Sequence, residues 1–390
     1  MKNPSYLFRL KCALLAGLVA CVLPAFAQET VKVGMIAEMS GPFAEFGRQM
    51  EAGVKAYQAQ YGDVVAGKRV EVVFRDTGGP NPDVAKRLAQ ELVVRDKVQV
   101  LAGFGFTPNA MAVAPVATQA KVPMVVMNAA GAGLTGKSPY MVRTSFTYSD
   151  VVPPIAKWAA KNGAKKAYLI VADYAPGHDA EKIFTRAFEA AGGEVLGAVR
   201  TPIVTTNFGP YLQRVKDAKP DVLFAFVNGG DVAPAFFKEF RAKKLAEAGI
   251  KLIGTGDIVD EAVMNAIGEY GMGVETVYPY SMHHDSALNK QYVQAFRKIL
   301  GKGERPTIMS VAAYDGMAAI YAALKKTGGK TDGDSLMGAL KGLEIESPRG
   351  HIRIDPVTRD IVQDEYIRRF GKVDGEYANI EFKTYKAGGR

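Results

Sequence analysis

The sequence has few of the residues from which catalytic and metal centres are built. Its 390 residues include two cysteines and four histidines. Both cysteines, Cys12 and Cys21, belong to the N-terminal segment, and without that segment no disulfide, thiol nucleophile or cysteine metal site remains. The histidines do not have the H-E-x-x-H spacing of zinc ligands, and no G-x-S-x-G nucleophile motif occurs. We therefore expect no catalytic residues, no metal site and no cofactor.

Long hydrophobic runs are also rare, and the first of them belongs to an export signal. Basic residues precede an apolar segment at 13–23, and residues 25–27 form an A-x-A cleavage site. The apolar segment is shorter than the ~20 residues of a membrane-spanning helix. Cleavage after Ala27 would release the exported protein from its signal. Residues 18–21 also fit a lipoprotein signal, in which Cys21 would carry the lipid, and this alternative stays open.

The charges of the chain do not indicate a nucleic acid partner. The formal net charge is +9 at pH 7, but basic residues are scattered among acidic ones along the sequence. A nucleic acid surface would need basic residues clustered with aromatic ones, and the sequence has no such stripe. We therefore expect no binding to nucleic acid.

The rest of the chain alternates apolar strands with amphipathic helices. The first series has strands at 31–36, 69–75, 98–103 and 122–127, with helices after residue 47 and at 82–95 and 110–120. A second series runs from a helix at 151–161 to a strand at 274–278, and three helices at 289–300, 309–326 and 335–343 follow it. Such alternation predicts α/β units with doubly wound, parallel sheets. Residues 349–386 instead alternate like antiparallel strands, which predicts a small β addition.

One glycine-rich stretch imitates a nucleotide site. Residues 131–138, GAGLTGKS, satisfy the phosphate-loop pattern G-x-x-x-x-G-K-S. A working phosphate loop passes directly into a helix whose amide groups hold the phosphates. Residues 139–146 are β-leaning and lack a helical stripe, so we expect no nucleotide binding here.

A small solute is the better candidate ligand, because ligands of open α/β sheets bind in the loops after the strand ends. Those loops are 39–47, 104–108 and 128–133 in the first series, and 173–177, 228–231 and 256–260 in the second. They combine aromatic rings, hydroxyl groups, small residues and acids. No flexible linker separates the two series, so the chain would cross directly between two lobes, as at a hinge.

The stretch MSGPFAEFG at 39–47 resembles the first ligand loop of type I periplasmic solute-binding proteins. These are the branched-chain-amino-acid-binding, Leu/Ile/Val-binding-like receptors of ABC transporters. The stretches at 103–126, 173–193 and 310–324 are similar to further segments of that family in the same order. The resemblance implies two Rossmann-like lobes joined by a hinge of three crossovers near Thr144, Tyr280 and Gly350. Lobe 1 would hold residues 28–144 and 281–350, and lobe 2 residues 145–280 and 351–390.

The resemblance also implies roles for single residues. Phe46 matches the aromatic ring that covers the ligand, and Thr107 matches the hydroxyl that donates to a ligand carboxylate. Ala129 and Gly131 match the pair that holds the same carboxylate, Gly229 falls near a family aromatic, and Asp257 falls near the acid that accepts from a ligand ammonium. The neighbouring loop residues Phe106, Ala130 and Tyr174 complete the predicted site.

Two departures from the family pattern argue for an aromatic ligand. Gly131 lacks a hydroxyl that would contribute ~1.5–3 kcal/mol to carboxylate binding. We expect Gly131 and Gly229 to enlarge the cleft, and Phe104 and Phe106 to add aromatic surface. The resulting prediction is a monomeric receptor of an ABC importer, with a permease and an ATPase as partners and an amino-acid-like or aromatic carboxylate as solute. A receptor for amides or urea, a sensing domain and an exported enzyme are the alternatives.

Overall fold

The computed structural model describes residues 29–388. The predicted cleavage after Ala27 and the alternative lipidation at Cys21 therefore lie outside the described residues. Within the described range the strands form two large sheets and a small one.

The first sheet is built almost entirely from the N-terminal third of the chain. Its strands run in the order β2-β3-β1-β4-β5-β6, and all neighbours are parallel except β2 and β3. The strands are β1 (Thr30–Ala37), β2 (Val64–Val65), β3 (Lys68–Asp76), β4 (Val100–Gly103), β5 (Met124–Val126) and β6 (Met141–Arg143). Between them lie α1 (Ala44–Tyr61), α2 (Pro82–Val94) and α3 (Thr107–Ala120). Every residue of β4, β5 and β6 is buried, as expected for strands covered on both faces.

The second sheet has a parallel part and an antiparallel edge, in the order β16-β15-β11-β10-β9-β7-β8. Its parallel strands are β7 (Lys166–Ala172), β8 (Glu194–Thr201), β9 (Val222–Phe226), β10 (Lys251–Thr255) and β11 (Glu275–Tyr278). The helices of this part are α4 (Tyr148–Lys161), α5 (Ala175–Ala190), α6 (Gly209–Ala218), α7 (Val232–Ala242) and α8 (Met264–Ile267). Two late strands, β15 (Glu365–Val373) and β16 (Glu376–Tyr385), add to β11 in antiparallel fashion.

The segment after β11 returns to the first sheet before the chain ends on the second. Helices α9 (Ala287–Leu300) and α10 (Ile308–Lys326) pack against α1, and α11 (Gly333–Leu340) packs against α10. The small antiparallel sheet follows, with β12 (Glu344–Ser347), β13 (Gly350–Ile354) and β14 (Ile361–Val362). The chain therefore passes between the two lobes after β6, after β11 and before β15. The boundaries predicted at 144, 280 and 350 remain a prediction.

The predicted fold class is confirmed, and the differences concern the ends of elements. Helices α3, α4 and α5 each begin three residues earlier than predicted, at Thr107, Tyr148 and Ala175. The helix predicted to end at residue 343 ends at Leu340, because residues 344–347 form strand β12, which the prediction missed. The antiparallel addition at the C-terminus is also confirmed, although β15 and β16 extend the second sheet.

The stretch that resembles a phosphate loop does not lead into an α-helix. Residues Leu134–Lys137 form one turn of 3-10 helix, and β6 is the next element. The geometry on which phosphate binding by such a loop depends is therefore missing, as the sequence predicts. Across residues 29–388, no helix combines the length and the apolar character that crossing a membrane requires.

A buried arginine ties the chain together where it passes between the lobes. Arg349 is 2% exposed and donates to the carbonyl oxygens of Thr144 and Ser145, on the first crossing. It also forms an ion pair with Asp315 of α10, with 3.0 Å between Nε and Oδ2. A further bond of 2.5 Å reaches Oε1 of Gln363, just before β15. One guanidinium group thus holds two crossings and a helix of the first lobe.

Candidate functional site

A small cavity lies between the two lobes, at the carboxyl ends of their parallel strands. Its volume is about 20 Å³, which is room for about one water molecule. The predicted residues that line it are Phe46, Phe106, Thr107, Ala130, Tyr174, Gly229 and Asp257. The lining residues that the prediction did not include are Gly105, Asn128, Tyr148, Pro176 and Asn228. The cleft is closed in this structure, since a Cβ built on Gly230 of lobe 2 would lie 3.2 Å from the carbonyl oxygen of Pro42 in lobe 1.

Aromatic rings form the wall of the cavity on the first lobe. The rings of Phe46 and Phe106 stack with centroids 5.5 Å apart and planes 25° apart. Phe43 packs against both rings, and Tyr174 of the second lobe meets Phe106 edge-on at 6.3 Å. The rings of Phe43 and Phe46 are only 1% and 6% exposed, because they cover one another in the closed cleft.

Three helices point their N-termini toward the cavity. Lining residues lie in the first turns of α3 (Thr107), α4 (Tyr148) and α5 (Pro176). The first amide groups of a helix have no partner within it, and the helix dipole places partial positive charge there. No described lining residue is lysine or arginine, so an anion here would depend on the helix dipoles and on backbone amides. At α4 the first two amides are already donated, from Tyr148 to the carbonyl oxygen of Ala130 and from Ser149 to Oγ1 of Thr147. Such a pocket favours an anionic group such as a carboxylate.

Thr107 is positioned to donate a hydrogen bond. Its Oγ1 accepts the backbone N–H of Gly131 at 3.0 Å, which leaves the hydroxyl hydrogen free to be donated. A Cβ built on Gly131 would lie 2.6 Å from Cγ2 of Thr107, so only glycine allows this close approach. The expectation that Gly131 enlarges the cleft is therefore wrong, since its place is filled by Thr107.

The other predicted small and aromatic residues also divide between cavity and core. Gly229 faces the cavity, and a Cβ there would lie 3.8 Å from the ring of Phe46. Ala129 lies behind the lining, with its N–H donated to the carbonyl oxygen of Phe104. Phe104 itself is fully buried against helices α2 and α3. The expectation that Phe104 adds aromatic surface to the cleft is wrong, because the backbone at this position, with φ of +69°, turns the ring into the core.

Asp257 is the acidic residue of the cavity lining. It accepts hydrogen bonds from Thr255 Oγ1 at 2.7 Å, Tyr278 OH at 3.0 Å and Tyr148 OH at 3.3 Å. Burial raises the pKa of this carboxyl, and the three hydroxyl bonds oppose that rise. Tyr148 was missed because α4 begins earlier than predicted. The signal that could have found it is Thr147, a helix N-cap residue whose side chain accepts from the N–H of Ser149.

A second acid lies directly behind the cavity wall. Glu38 is fully buried and accepts hydrogen bonds from Asn109 Nδ2 at 3.0 Å and Thr77 Oγ1 at 3.3 Å. Its Oε2 has no partner among the described residues and faces the Cα of Gly105, where a Cβ would collide with it. Burial raises the pKa of Glu38 to about 8.

Metal binding has no support in the described part of the chain. No group of three or more His, Cys, Asp or Glu side chains comes together there. Two of the histidines form a pair with one acid each, His178 with Asp173 at 2.7 Å and His284 with Glu381 at 2.8 Å. The molecule is thus a two-lobed α/β protein with a small cavity between its lobes.

Similarity to known proteins identifies the family. The sequence profile of the periplasmic binding proteins matches residues 30–375. The Leu/Ile/Val-binding protein homolog 6 of Brucella melitensis is 46% identical over 362 residues, which is 93% of either chain. The chain therefore belongs to the periplasmic binding protein family, in its type I, branched-chain amino acid-binding group, and the resemblance described above is confirmed.

Two solved structures are similar over nearly the whole described chain. A solute-binding protein of an ABC transporter from Rhodopseudomonas palustris BisB5, in complex with 3,4-dihydroxybenzoic acid, has a TM-score of 0.89 and 51% identity. Another from R. palustris, in complex with 4-hydroxybenzoate, has a TM-score of 0.90 and 48% identity. Each match covers 92% of this chain and 98% of the other. These neighbours are receptors for small solutes.

Proposed function

We propose that this protein is the periplasmic receptor of an ABC importer and captures an aromatic carboxylate between its lobes. It would act as a monomer and deliver the solute to a permease and its ATPase, and it would catalyse no reaction. Lobe 1 comprises residues 28–144 and 281–350 in this proposal, and lobe 2 residues 145–280 and 351–390. The predicted ligand residues on the cavity lining would contact the solute, and Ala129 and Gly131 would support them from behind.

The observation that carries the proposal is a cavity with aromatic walls whose positive potential comes from helix N-termini. Stacked rings at Phe46 and Phe106 match a flat π-system, and the free hydroxyl hydrogen of Thr107 suits a carboxylate oxygen. The two similar receptors from R. palustris, whose structures contain hydroxybenzoates, support the same ligand class. A neutral amide or urea could accept hydrogen bonds at the helix N-termini but would gain less from the helix dipoles than a carboxylate does.

A thermal-shift panel tests the ligand class. It would contain benzoate, 4-hydroxybenzoate, leucine, valine, acetamide and urea, each with the mature protein. A ligand at 100 times its dissociation constant stabilises the native state by about 2.7 kcal/mol, which is readily measured. We expect aromatic carboxylates to raise the melting temperature and the other compounds to leave it unchanged. A shift with leucine or valine alone would refute the aromatic ligand, and a shift with acetamide or urea alone would favour the amide receptor.

A pair of glycine variants tests the carboxylate end of the site. In Gly131→Ala the new methyl group would displace the side chain of Thr107, so we expect at least tenfold weaker binding of benzoate by calorimetry. Gly136→Ala is the matched control, because a Cβ at Gly136 meets no described atom within 4 Å. Equal affinities for benzoate in the two variants would show that Thr107 does not hold the carboxylate.

A further inference from the structure

Asp257 carries an unusual set of partners for a buried acid. All three of its side-chain hydrogen bonds come from neutral hydroxyl groups, and two of the donors, Tyr148 and Tyr278, are phenols. Among the described residues, no lysine, arginine or histidine forms an ion pair with it. A carboxylate in a water-poor site needs such donors to remain charged. The second-lobe wall of the cavity is therefore already adapted to phenolic O–H groups.

The three bonds leave acceptor capacity on the carboxylate. Oδ2 accepts from Thr255 and Tyr148, whereas Oδ1 accepts from Tyr278 alone. Each carboxylate oxygen offers about two acceptor positions, so Oδ1 has one that these side chains do not use. Because Asp257 is half-buried and lines the cavity, a ligand can reach this group.

Tyr148 is the partner that can adjust to a ligand. Its bond to Asp257 is the longest of the three, at 3.3 Å, and its hydroxyl can both donate and accept. Its ring is held edge-on by Phe226 at 4.8 Å and by Phe146 at 5.4 Å. The hydroxyl therefore stays at the cavity while its hydrogen remains free to turn toward a new acceptor.

We propose that Asp257 and Tyr148 form a subsite for a ring hydroxyl, so that the receptor prefers phenolic carboxylates to unsubstituted benzoate. This inference rests on the proposed function, in which Thr107 on the opposite lobe binds the carboxylate. The ring hydroxyl donates to Asp257 and accepts from Tyr148. A ligand that bridges Thr107 and Asp257 in this way contacts both lobes and stabilises the closed cleft.

Calorimetry with two ligands and two variants tests the subsite. For the unmodified mature protein we expect 4-hydroxybenzoate to bind at least tenfold more tightly than benzoate, which corresponds to about 1.4 kcal/mol. Asp257→Asn keeps the shape of the side chain but removes its charge. We expect it to weaken 4-hydroxybenzoate at least tenfold and benzoate less than threefold. The exposed Asp231 of a neighbouring loop supplies the control, and Asp231→Asn should change neither affinity.

Tyr148→Phe provides an independent check if Asp257→Asn fails to fold, because it removes only the hydroxyl. It should reduce the preference for 4-hydroxybenzoate over benzoate several-fold. An equal effect of Asp257→Asn on both ligands, or a wild-type protein that binds both equally, would overturn the subsite and leave the proposed function intact. If the wild-type protein binds neither ligand, the proposed function fails and the subsite fails with it.

Discussion

At the scale of single residues, Glu38 makes the stability of the protein depend on pH. Its pKa is about 8 in the native state, and burial is the largest cause of that rise from the ordinary value of 4.5. The native state therefore holds this proton more tightly than the unfolded state. The associated stability is complete below about pH 4.5 and is lost as the pH rises through about 8. Between these limits the unfolding free energy should fall by up to ~1.4 kcal/mol per pH unit from this group alone.

Glu38→Gln should remove this contribution, because glutamine stays neutral. We expect the slope of unfolding free energy between pH 5 and 8, measured by urea denaturation, to be flatter in the variant than in the wild type. The exposed Glu71 on β3 supplies the control, and Glu71→Gln should leave the slope unchanged. Parallel curves for the wild type and Glu38→Gln would mean that Glu38 is ionised throughout this range.

Single residues also show which parts of the site could be predicted from the sequence alone and which could not. The position of a loop follows from strand order, so Phe46, Thr107 and Asp257 could be predicted to line the cavity. The direction of a side chain depends on local backbone angles and on neighbours distant in sequence. Phe104 points into the core, and Gly131 accommodates Thr107, a residue 24 positions earlier in the chain. Neither fact could be derived from periodicity.

At the scale of elements, the helix starts were the hardest part to predict. Helices α3 and α5 have the aromatic residues Phe106 and Tyr174 at their N-caps, without a side-chain cap bond among the described residues. The Ser, Thr, Asp or Asn that usually marks a helix start is therefore missing from the N-cap positions of these two helices, although Thr107 and Asp173 lie next to them. Uncapped amide groups are also what an anionic ligand needs, so the weak sequence signal and the proposed binding role have one physical origin.

At the scale of elements, we predict that the ion pair between Arg349 and Asp315 stabilises the crossings between the lobes. Arg349→Met would leave Asp315 buried without its cation, which costs about 3–5 kcal/mol for such pairs. We expect Asp315→Asn to recover part of that loss when it is combined with Arg349→Met, as measured by denaturant unfolding. Arg353→Met, on the same strand β13, is the control and should change stability by less than about 0.5 kcal/mol. Additive effects of the two buried substitutions would show that the residues are not coupled.

At the scale of the whole molecule, the closed cleft requires motion for binding. A cavity of about 20 Å³ is far below the ~300–1,000 Å³ of ordinary ligand pockets, so the lobes must separate before an aromatic acid can enter. We expect small-angle X-ray scattering to give a larger radius of gyration without ligand than with saturating 4-hydroxybenzoate. Glucose at the same concentration serves as the control solute. Identical scattering with and without bound 4-hydroxybenzoate would exclude closure by hinge motion.

The helix N-termini around the cavity would bind an anion through backbone groups and not through charged side chains. Their positive potential comes from peptide groups, which cannot lose a proton, be acetylated or turn away on a long side chain. In the proposed function, carboxylate recognition would thus be a property of the backbone, set when the chain folds. Lining side chains such as Asp257 remain free to vary, and a change there could redirect the receptor to another acid without altering these backbone groups.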